Sequence, residues 1–202
     1  SSLVTLVIID TDCANLSSVA FAFERLGVDA VVSSEKDVIL GADRLILPGV
    51  GAAPYALQKI HERGLKEVLQ AVSQPLLGIC LGMQLLFDEV NEGGQTLEGL
   101  GLIPGSVTRL ETKNLPSPHM GWNTLDIIKP GALLEGLTES DYAYFVHSYA
   151  APVSDVTLAK TAYGSDFSAV VAHKNVYGCQ FHPERSSQTG ARILKNFLDL
   201  PA

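Results

Sequence analysis

Cysteine, positive charge and long apolar runs are all scarce in this chain of 202 residues, and each shortage excludes a class of protein. The three cysteines, Cys13, Cys80 and Cys179, are odd in number and widely spaced, so they fit neither a disulfide framework nor a Cys-x-x-Cys metal site. Fourteen Lys and Arg residues against 22 Asp and Glu residues give a net charge of −8, which disfavours binding to nucleic acid or anionic membranes. No apolar run approaches the roughly 20 residues of a membrane-spanning helix.

The chain does have enough apolar sequence for one packed domain. Hydrophobic residues make up 47% of the composition and charged residues 18%, which is typical of a compact globular protein. No linker, repeat or low-complexity segment is evident, so we expect residues 1–202 to form a single domain. The sequence begins without the features of a signal peptide, and we predict a cytoplasmic protein with reduced thiols.

The order of predicted elements differs between the two halves of the chain. In the first half, short apolar runs alternate with segments of helical periodicity, which predicts a parallel sheet with helices on both faces. The second half carries strands joined by turns, so the sheet should become mixed there, within an α/β fold. Predicted strands span residues 3–9, 30–32, 44–47, 76–79, 106–110, 124–128, 142–146, 157–162, 169–172 and 176–181; predicted helices span 15–26, 54–62, 81–89 and 189–198.

A cysteine between two glycines marks a candidate nucleophile. Gly78 and Gly82 flank Cys80 where a buried strand meets a helix, the Gly-x-nucleophile-x-Gly pattern of a tight elbow. At such a turn the apical side chain is exposed over a helix N-terminus, and the backbone N–H of Leu81 points where an oxyanion would form. The alternative is a small buried cysteine that only packs, which does not explain the two glycines.

A nucleophilic cysteine needs an imidazole base and a group that orients it. His182 ends an apolar strand, and Glu184 follows two residues later, within reach of the imidazole Nδ1–H. His61 and His173 are typical of solvated surface residues. His-Pro-Glu alone could be a turn with a solvated carboxylate, but together with the elbow it predicts a Cys-His-Glu triad.

Two motifs indicate a resemblance to a known family, and this resemblance spans essentially the whole chain. Gly-Ile-Cys-Leu-Gly-Met-Gln at 78–84 and Phe-His-Pro-Glu at 181–184 resemble the class I (triad) glutamine amidotransferases. The resemblance implies a flavodoxin-like fold and hydrolysis of L-glutamine through a cysteine thioester, without a metal or organic cofactor. Segments 48–51, 118–123 and 144–149 resemble one subfamily, the glutaminase subunit of imidazole glycerol phosphate synthase. That likeness implies a heterodimer with a TIM-barrel cyclase, which uses the ammonia to form imidazole glycerol phosphate and an aminoimidazole carboxamide ribotide in histidine biosynthesis.

The resemblance also implies roles for residues outside the triad. Backbone near Val50 or Gly51 would join Leu81 in the oxyanion hole. A dinucleotide-binding loop is the competing interpretation of this segment, but Pro54 stands where that motif needs glycine. The residues expected to hold substrate are Gly49, Gln84, Glu92, His147, Ser148 and Tyr149, and those expected to face the partner are Asn15, His119, Met120, Trp122 and Arg185.

Some of these assignments have plain alternatives. Glu92 could be a solvated acid, and Trp122 could fill the core. Asp12 stands where the family pattern has glycine, although Asp tolerates left-handed backbone; Cys13 beside it has no assigned role. The family also implies that the isolated subunit is a poor glutaminase, stimulated by a ligand-loaded partner. Rival functions are a glutaminase serving another synthase, a different thiol hydrolase, and a docking subunit without catalysis.

Overall fold

The computed structural model describes residues 4–201, and an eight-stranded sheet forms its centre. Residue 3, the predicted start of the first strand, lies outside the described residues. The strands are β1 (Leu6–Ile9), β2 (Ala30–Ser33), β3 (Arg44–Gly49), β4 (Leu76–Cys80), β5 (Phe87–Glu92), β6 (Gln95–Glu98), β7 (Ile103–Arg109), β8 (His119–Thr124), β9 (Asp126–Ile127), β10 (Tyr142–His147), β11 (Tyr149–Ala150), β12 (Thr157–Tyr163), β13 (Ser165–His173) and β14 (Val176–Cys179).

The central sheet has the strand order β2-β1-β3-β4-β14-β13-β12-β9. The first five strands are parallel, and β13, β12 and β9 join antiparallel, so the predicted mixed sheet is confirmed. Because side chains alternate across a strand, the buried residues of β1 divide between two cores, one on each face. A strand buried on both faces reads as the unbroken apolar run seen in the sequence.

The helices cover both faces of this sheet. They are α1 (Leu16–Glu24), α2 (Lys36–Leu40), α3 (Ala53–Glu62), α4 (Leu65–Ala71), α5 (Leu81–Leu85) and α6 (Ser187–Leu198), with 3-10 turns at Ala132–Leu134 and Pro183–Arg185. α3, α4 and α5 pack in one core, and α1 and α6 pack in the other. The sequence did not predict α2 or α4.

The predicted helix over residues 81–89 is wrong beyond Leu85. The chain turns there into β5, whose Phe87 and Val90 are buried in the core. β5 pairs with β6 through the two-residue turn Gly93-Gly94, and both glycines have positive φ, as a hairpin turn of this length requires. β5, β6, β7 and β11 form a second sheet beside the first.

β8 and β10 form a separate two-stranded ribbon. The predicted strand over residues 124–128 is displaced: β8 begins five residues earlier, and only residues 126–127 join the central sheet as β9. Trp122 pairs with Tyr144, and Met120 with Val146.

The parallel strands bring the candidate site residues to one edge of the sheet. In the register of β3 with β4, Gly49 lies beside Cys80, and β14 lies on the other side of β4. The chain that leaves β14 therefore reaches the same edge as the elbow. Ligand crevices of open α/β sheets lie at this carboxyl edge.

Candidate active site

Cys80 stands at a strained turn between β4 and α5. Its φ of 54° lies in the left-handed region, which an L residue rarely adopts, as the elbow pattern predicts. The two glycines act by their lack of a side chain and not by an unusual φ. A Cβ at Gly82 would lie 1.9 Å from the Leu47 carbonyl oxygen, and one at Gly78 would lie 2.8 Å from the Gly82 oxygen. The glycines thus let strand and helix pack in direct backbone contact.

The three predicted triad residues come together at this turn. His182 and Cys80 line one cavity of about 530 Å³, and His182 Nδ1 lies 3.1 Å from Glu184 Oε2. Both the His182 and Glu184 side chains are buried. The other Glu184 oxygen is buried without a hydrogen-bond partner among residues 4–201, so this carboxylate depends on His182 for compensation.

The electrostatics of His182 favour its charged form. Burial acts to lower the pKa of His182, but hydrogen bonds to Cys80 and Glu184 and the charges of both groups outweigh it and raise the pKa to about 10. His182 is therefore an imidazolium at neutral pH, next to the sulfur it is expected to serve.

The Cys80 sulfur has two further neighbours. The Val146 carbonyl oxygen lies 3.7 Å from the sulfur, where a thiol would donate to it, and the side-chain amide of Gln180 donates to the sulfur at 3.8 Å. Sequence reasoning missed Gln180. A signal was available, because Gln180 and His182 are two positions apart in extended chain and so share a face.

In the segment predicted to form the oxyanion hole, the Val50 N–H is engaged by another backbone group. The Val50 N–H donates to the Cys13 carbonyl at 2.7 Å, and Gly51 follows with a φ of +97°. Val50 and Gly51 line the cavity with Leu81, whereas Gly49 packs on the Gly82 nitrogen and lines a smaller adjoining cavity.

The loop that supplies the Cys13 carbonyl has the expected left-handed turn. Asp12 adopts a φ of 64°, and its N–H donates to the Asp10 side chain. Aspartate therefore replaces the glycine of the family pattern without loss of the turn. Cys13, which had no assigned role, contributes its backbone and not its thiol.

The residues expected to hold substrate surround the same cavity. Gln84, Glu92, His147, Ser148 and Tyr149 all line it. Glu92 is not simply solvated, because its Oε2 accepts a hydrogen bond from the Ala53 N–H at the start of α3. Gln84 donates to the Tyr149 carbonyl at 3.0 Å.

The expectation that His119 contacts a partner is wrong for this structure. His119 is 2% exposed and stacks between the rings of Phe145 and Tyr163, because residues 119, 121 and 123 lie on the inner face of β8. It hydrogen-bonds to His147, and burial lowers the pKa of both histidines to about 4.

The outer face of β8 carries two of the other predicted partner contacts, and the remaining two are also exposed. Met120 and Trp122 are 61% and 52% exposed, so Trp122 does not fill the core. The Arg185 guanidinium lies 4.4 Å from the ring centre of Tyr144, which also contacts Trp122 edge to face. Asn15 is exposed too and caps α1. We call Met120, Trp122, Tyr144 and Arg185 the aromatic face.

The fold and the elbow define a class of enzyme. The family model described as Glutamine amidotransferase class-I matches residues 7–200, and the chain belongs to this family. Solved structures of low identity share the fold: a glutamine amidotransferase (22% identity, TM-score 0.74, 96% of this chain and 97% of that one) and a chain of PurLQS from Thermotoga maritima (18%, 0.72, 98% and 99%). The predicted fold class is confirmed.

Closer relatives point to one subunit within the family. The chain is 52% identical over 198 residues to imidazole glycerol phosphate synthase subunit HisH 1 of Vibrio vulnificus strain YJ016, covering 96% of this chain and 97% of the relative. It is 52% identical to subunit HisH of Vibrio cholerae and 49% identical to that of Shewanella oneidensis, each over 96% of this chain and 98% and 95% of the relative, respectively. The predicted subfamily resemblance is confirmed. Within residues 4–201, no group of His, Cys, Asp and Glu suits a metal ion, and no helix is long and apolar enough to cross a membrane.

Proposed function

We propose that this chain is the glutaminase subunit of an imidazole glycerol phosphate synthase, which hydrolyses L-glutamine and passes the ammonia to a cyclase subunit. The observation that carries the proposal is geometric: Cys80 and His182 line the same cavity, and Glu184 Oε2 lies 3.1 Å from His182 Nδ1. Identity to the HisH subunits selects this synthase among those that use such a domain.

The first half of the reaction forms a thioester. The Cys80 thiolate attacks the side-chain carbonyl carbon of glutamine, and the carbonyl oxygen becomes an oxyanion. His182 gives its proton to the amide nitrogen, the C–N bond breaks, and ammonia leaves. Glu184, bonded to Nδ1, keeps Nε2 turned toward the sulfur and the leaving group.

The second half hydrolyses the thioester. His182, now neutral, takes a proton from water, and the resulting hydroxide attacks the thioester carbon. The C–S bond breaks, glutamate leaves, and the thiolate and imidazolium are restored. No step needs a metal or an organic cofactor.

The oxyanion must be stabilised in both halves, and the resting structure offers only part of the hole. We assign the Leu81 N–H as one donor and the backbone of Val50 or Gly51 as the second. The Val50 N–H serves only after it leaves the Cys13 carbonyl. Partner binding beside Asn15, two residues after Cys13, can supply the free energy for that change.

The α-ammonium and α-carboxylate of glutamine need an acidic group and hydrogen-bond donors, respectively, at the far end of the cavity. We assign the α-ammonium to Glu92, whose second oxygen is not used by α3, and the carboxylate to the backbone of residues 147–149. Gln84 faces the cavity with its carbonyl oxygen, because both of its N–H groups are bound elsewhere.

The aromatic face is the proposed contact with a TIM-barrel cyclase in a heterodimer. Exposed Trp and Met beside a stacked Arg make a typical interface anchor. We further propose that residues 1–202 act as one domain and work in the cytoplasm, since the mechanism requires a reduced Cys80, and cytoplasmic thiols are kept reduced.

The test is a glutamine hydrolysis assay with and without a cyclase subunit loaded with its ligand, run on wild type and on Cys80→Ala. We expect activity that rises with the loaded partner and is abolished in Cys80→Ala. If the cyclase leaves the hydrolysis rate unchanged and another synthase subunit raises it, the partner is that other subunit. Turnover by Cys80→Ala would contradict the triad.

A further inference from the structure

A buried chain of polar side chains runs from β8 to the Cys80 sulfur. It passes from His119 to His147, then to the Tyr149 carbonyl, then through Gln84 to Gln180, which reaches the sulfur. The four side chains are 0–6% exposed. Buried polar networks are costly unless every member is satisfied, so the arrangement calls for an explanation.

The Tyr149 carbonyl oxygen determines the direction of the bonds toward the sulfur. A carbonyl oxygen only accepts, so Gln84 must turn its NH₂ group toward it, as it does at 3.0 Å. The same NH₂ group donates to Gln180 Oε1 at 3.0 Å. Gln180 therefore has its carbonyl oxygen engaged and can only present its NH₂ group to Cys80. Flipping either amide would oppose two acceptors or two donors.

The same carbonyl also determines the tautomers of His147 and His119. It accepts from His147 Nδ1 at 2.9 Å, so Nε2 of neutral His147 is an acceptor. His119 Nδ1, 2.9 Å away, must donate to it, which leaves His119 Nε2 to accept from the Asn123 amide at 3.4 Å. Asn123 is itself oriented by donation to the Ala162 carbonyl. Each proton thus has one allowed position.

We propose that Gln180 is a catalytic residue: its amide N–H donates to the Cys80 sulfur and stabilises the thiolate, and Gln84, His147 and His119 are positioning residues that hold this amide in its productive orientation. This inference rests on the proposed glutaminase function and assigns a second donor to the sulfur besides His182.

The Val146 carbonyl shows why a second donor matters. Its oxygen lies 3.7 Å from the sulfur, where it would accept a hydrogen bond from a thiol but repels a thiolate. Gln180, which directly follows β14, supplies an N–H that a thiolate accepts and that balances this carbonyl. The titratable groups that line the cavity with Cys80 are His182, His147, Glu92 and Tyr149, and Glu184 lies behind His182.

The experiment measures how fast iodoacetamide alkylates Cys80 between pH 5 and 10, followed on the Cys80 peptide by mass spectrometry. Gln180→Glu keeps the acceptor for Gln84 but places a carboxylate beside the sulfur. Gln180→Met keeps the length and removes the amide. We expect the pH midpoint of alkylation to rise in the order wild type, Gln180→Met, Gln180→Glu, with a reaction at pH 7 that is at least about ten-fold slower for Gln180→Glu.

Glutaminase kinetics in the partner complex give a second measurement. For both Gln180 variants kcat should fall about ten- to one-hundred-fold, as for the loss of one hydrogen bond to a charged group, with KM nearly unchanged.

A matched control makes the same chemical change elsewhere. Gln74 donates its amide to three backbone carbonyls on the far side of the molecule from the cavity, so Gln74→Glu should lower stability but leave the alkylation midpoint unchanged. If both Gln180 variants fail to fold, His119 tests the chain from its other end. His119→Phe should raise the midpoint, and His119→Asn, whose amide N–H replaces the ring Nδ1–H, should restore it.

The outcomes separate the two proposals. Wild-type glutaminase activity with unchanged midpoints in the Gln180 variants, or in both His119 variants if those are needed, overturns this inference alone. A wild-type complex without glutaminase activity, whose Cys80 reacts no faster at pH 7 than an ordinary thiol, overturns the proposed function and this inference together.

Discussion

The backbone N–H of Val50 donates to the carbonyl oxygen of Cys13 at 2.7 Å, which joins the predicted oxyanion segment to the loop before α1. The proposed mechanism uses this N–H or its neighbour in the oxyanion hole, and the loop that engages the Val50 N–H lies on the proposed partner side. In the proposed mechanism, the resting protein therefore has Cys80 and His182 in one cavity but an incomplete oxyanion hole. Partner stimulation has a physical basis if docking breaks this bond.

We expect Val50→Pro, which has no N–H, to lose stimulation by the loaded partner. One oxyanion donor is typically worth about 10²- to 10³-fold in kcat, so the stimulated rate should fall by that order while the unstimulated rate changes little. Val50→Ala keeps the N–H and is the matched control. Glutaminase rates of both variants with and without partner measure this; full stimulation of Val50→Pro would show that Gly51 or another donor completes the hole.

The triad residues should differ in the size of their effects. Cys80→Ala removes the nucleophile and His182→Ala the proton carrier, so each should reduce glutamine hydrolysis by at least about 10³-fold. Glu184→Gln keeps the shape and orients the ring less well, and we expect a smaller loss. His61→Ala, at an exposed position on α3, is the control and should retain full activity. Steady-state kinetics of the four variants in complex with the partner provide the comparison.

Acid should destabilise the protein through His119 and His147. Burial lowers the pKa of both to about 4, against 6.5 when unfolded, so the stability they contribute is present above pH 6.5 and is lost as the pH falls toward 4. The expected loss is about 2 kcal/mol per histidine between pH 7 and pH 5. Urea unfolding at the two pH values measures it, and His119→Phe should remove about half of the difference. An equal loss in His119→Phe and wild type would contradict this assignment.

His182 has the opposite sign. Its pKa is raised to about 10, so its stabilising contribution is complete below pH 6.5 and declines as the pH rises toward 10. Unfolding experiments on wild type and His182→Ala from pH 6.5 to 10 should show the two stabilities converging as the pH rises. A constant difference across this range would mean that His182 is not charged in the folded protein.

The aromatic face should account for much of the partner affinity. Trp122→Ala removes an exposed anchor without disturbing the core, so we expect Kd for the cyclase to rise about ten-fold or more with unchanged thermal stability of the isolated chain. Val31→Ala, an exposed apolar residue on the edge strand β2, is the control. Calorimetric titration of the two variants with the cyclase measures these affinities. Equal affinities would contradict the assignment of the aromatic face as the interface.

Local sequence signals predicted the parts of the fold that local chemistry determines. Unbroken apolar runs predicted β1, β3 and β4, and the Gly-x-Cys-x-Gly pattern predicted the elbow. The predicted helix over residues 81–89 is wrong past Leu85 because apolar spacing continues there, although the Gly93-Gly94 pair that follows is typical of a hairpin turn. Tertiary pairing with β7 then decides that the segment is a strand.

The candidate site also combines features that local motifs predict with features that only tertiary contacts determine. Cys80 and His182 were predictable because their motifs carry the chemistry. The family resemblance assigned a partner contact to His119 together with Met120 and Trp122, but the pleat of β8 separates His119 from these two residues onto opposite faces. The spacing of Gln180 from His182 indicates a shared face, but its contacts are with residues about 100 positions earlier in the chain, which a local pattern does not predict.

Neither Gly49 nor Gly82 has room for a methyl group, because a Cβ at Gly49 would lie 2.9 Å from the Gly82 nitrogen and one at Gly82 would lie 1.9 Å from the Leu47 carbonyl oxygen. The framework up to Gly49 is therefore rigid, and freedom to rearrange begins at the next peptide unit. An engineer who wants a glutaminase that runs without its partner needs to retune only that short hinge and can leave the catalytic scaffold untouched.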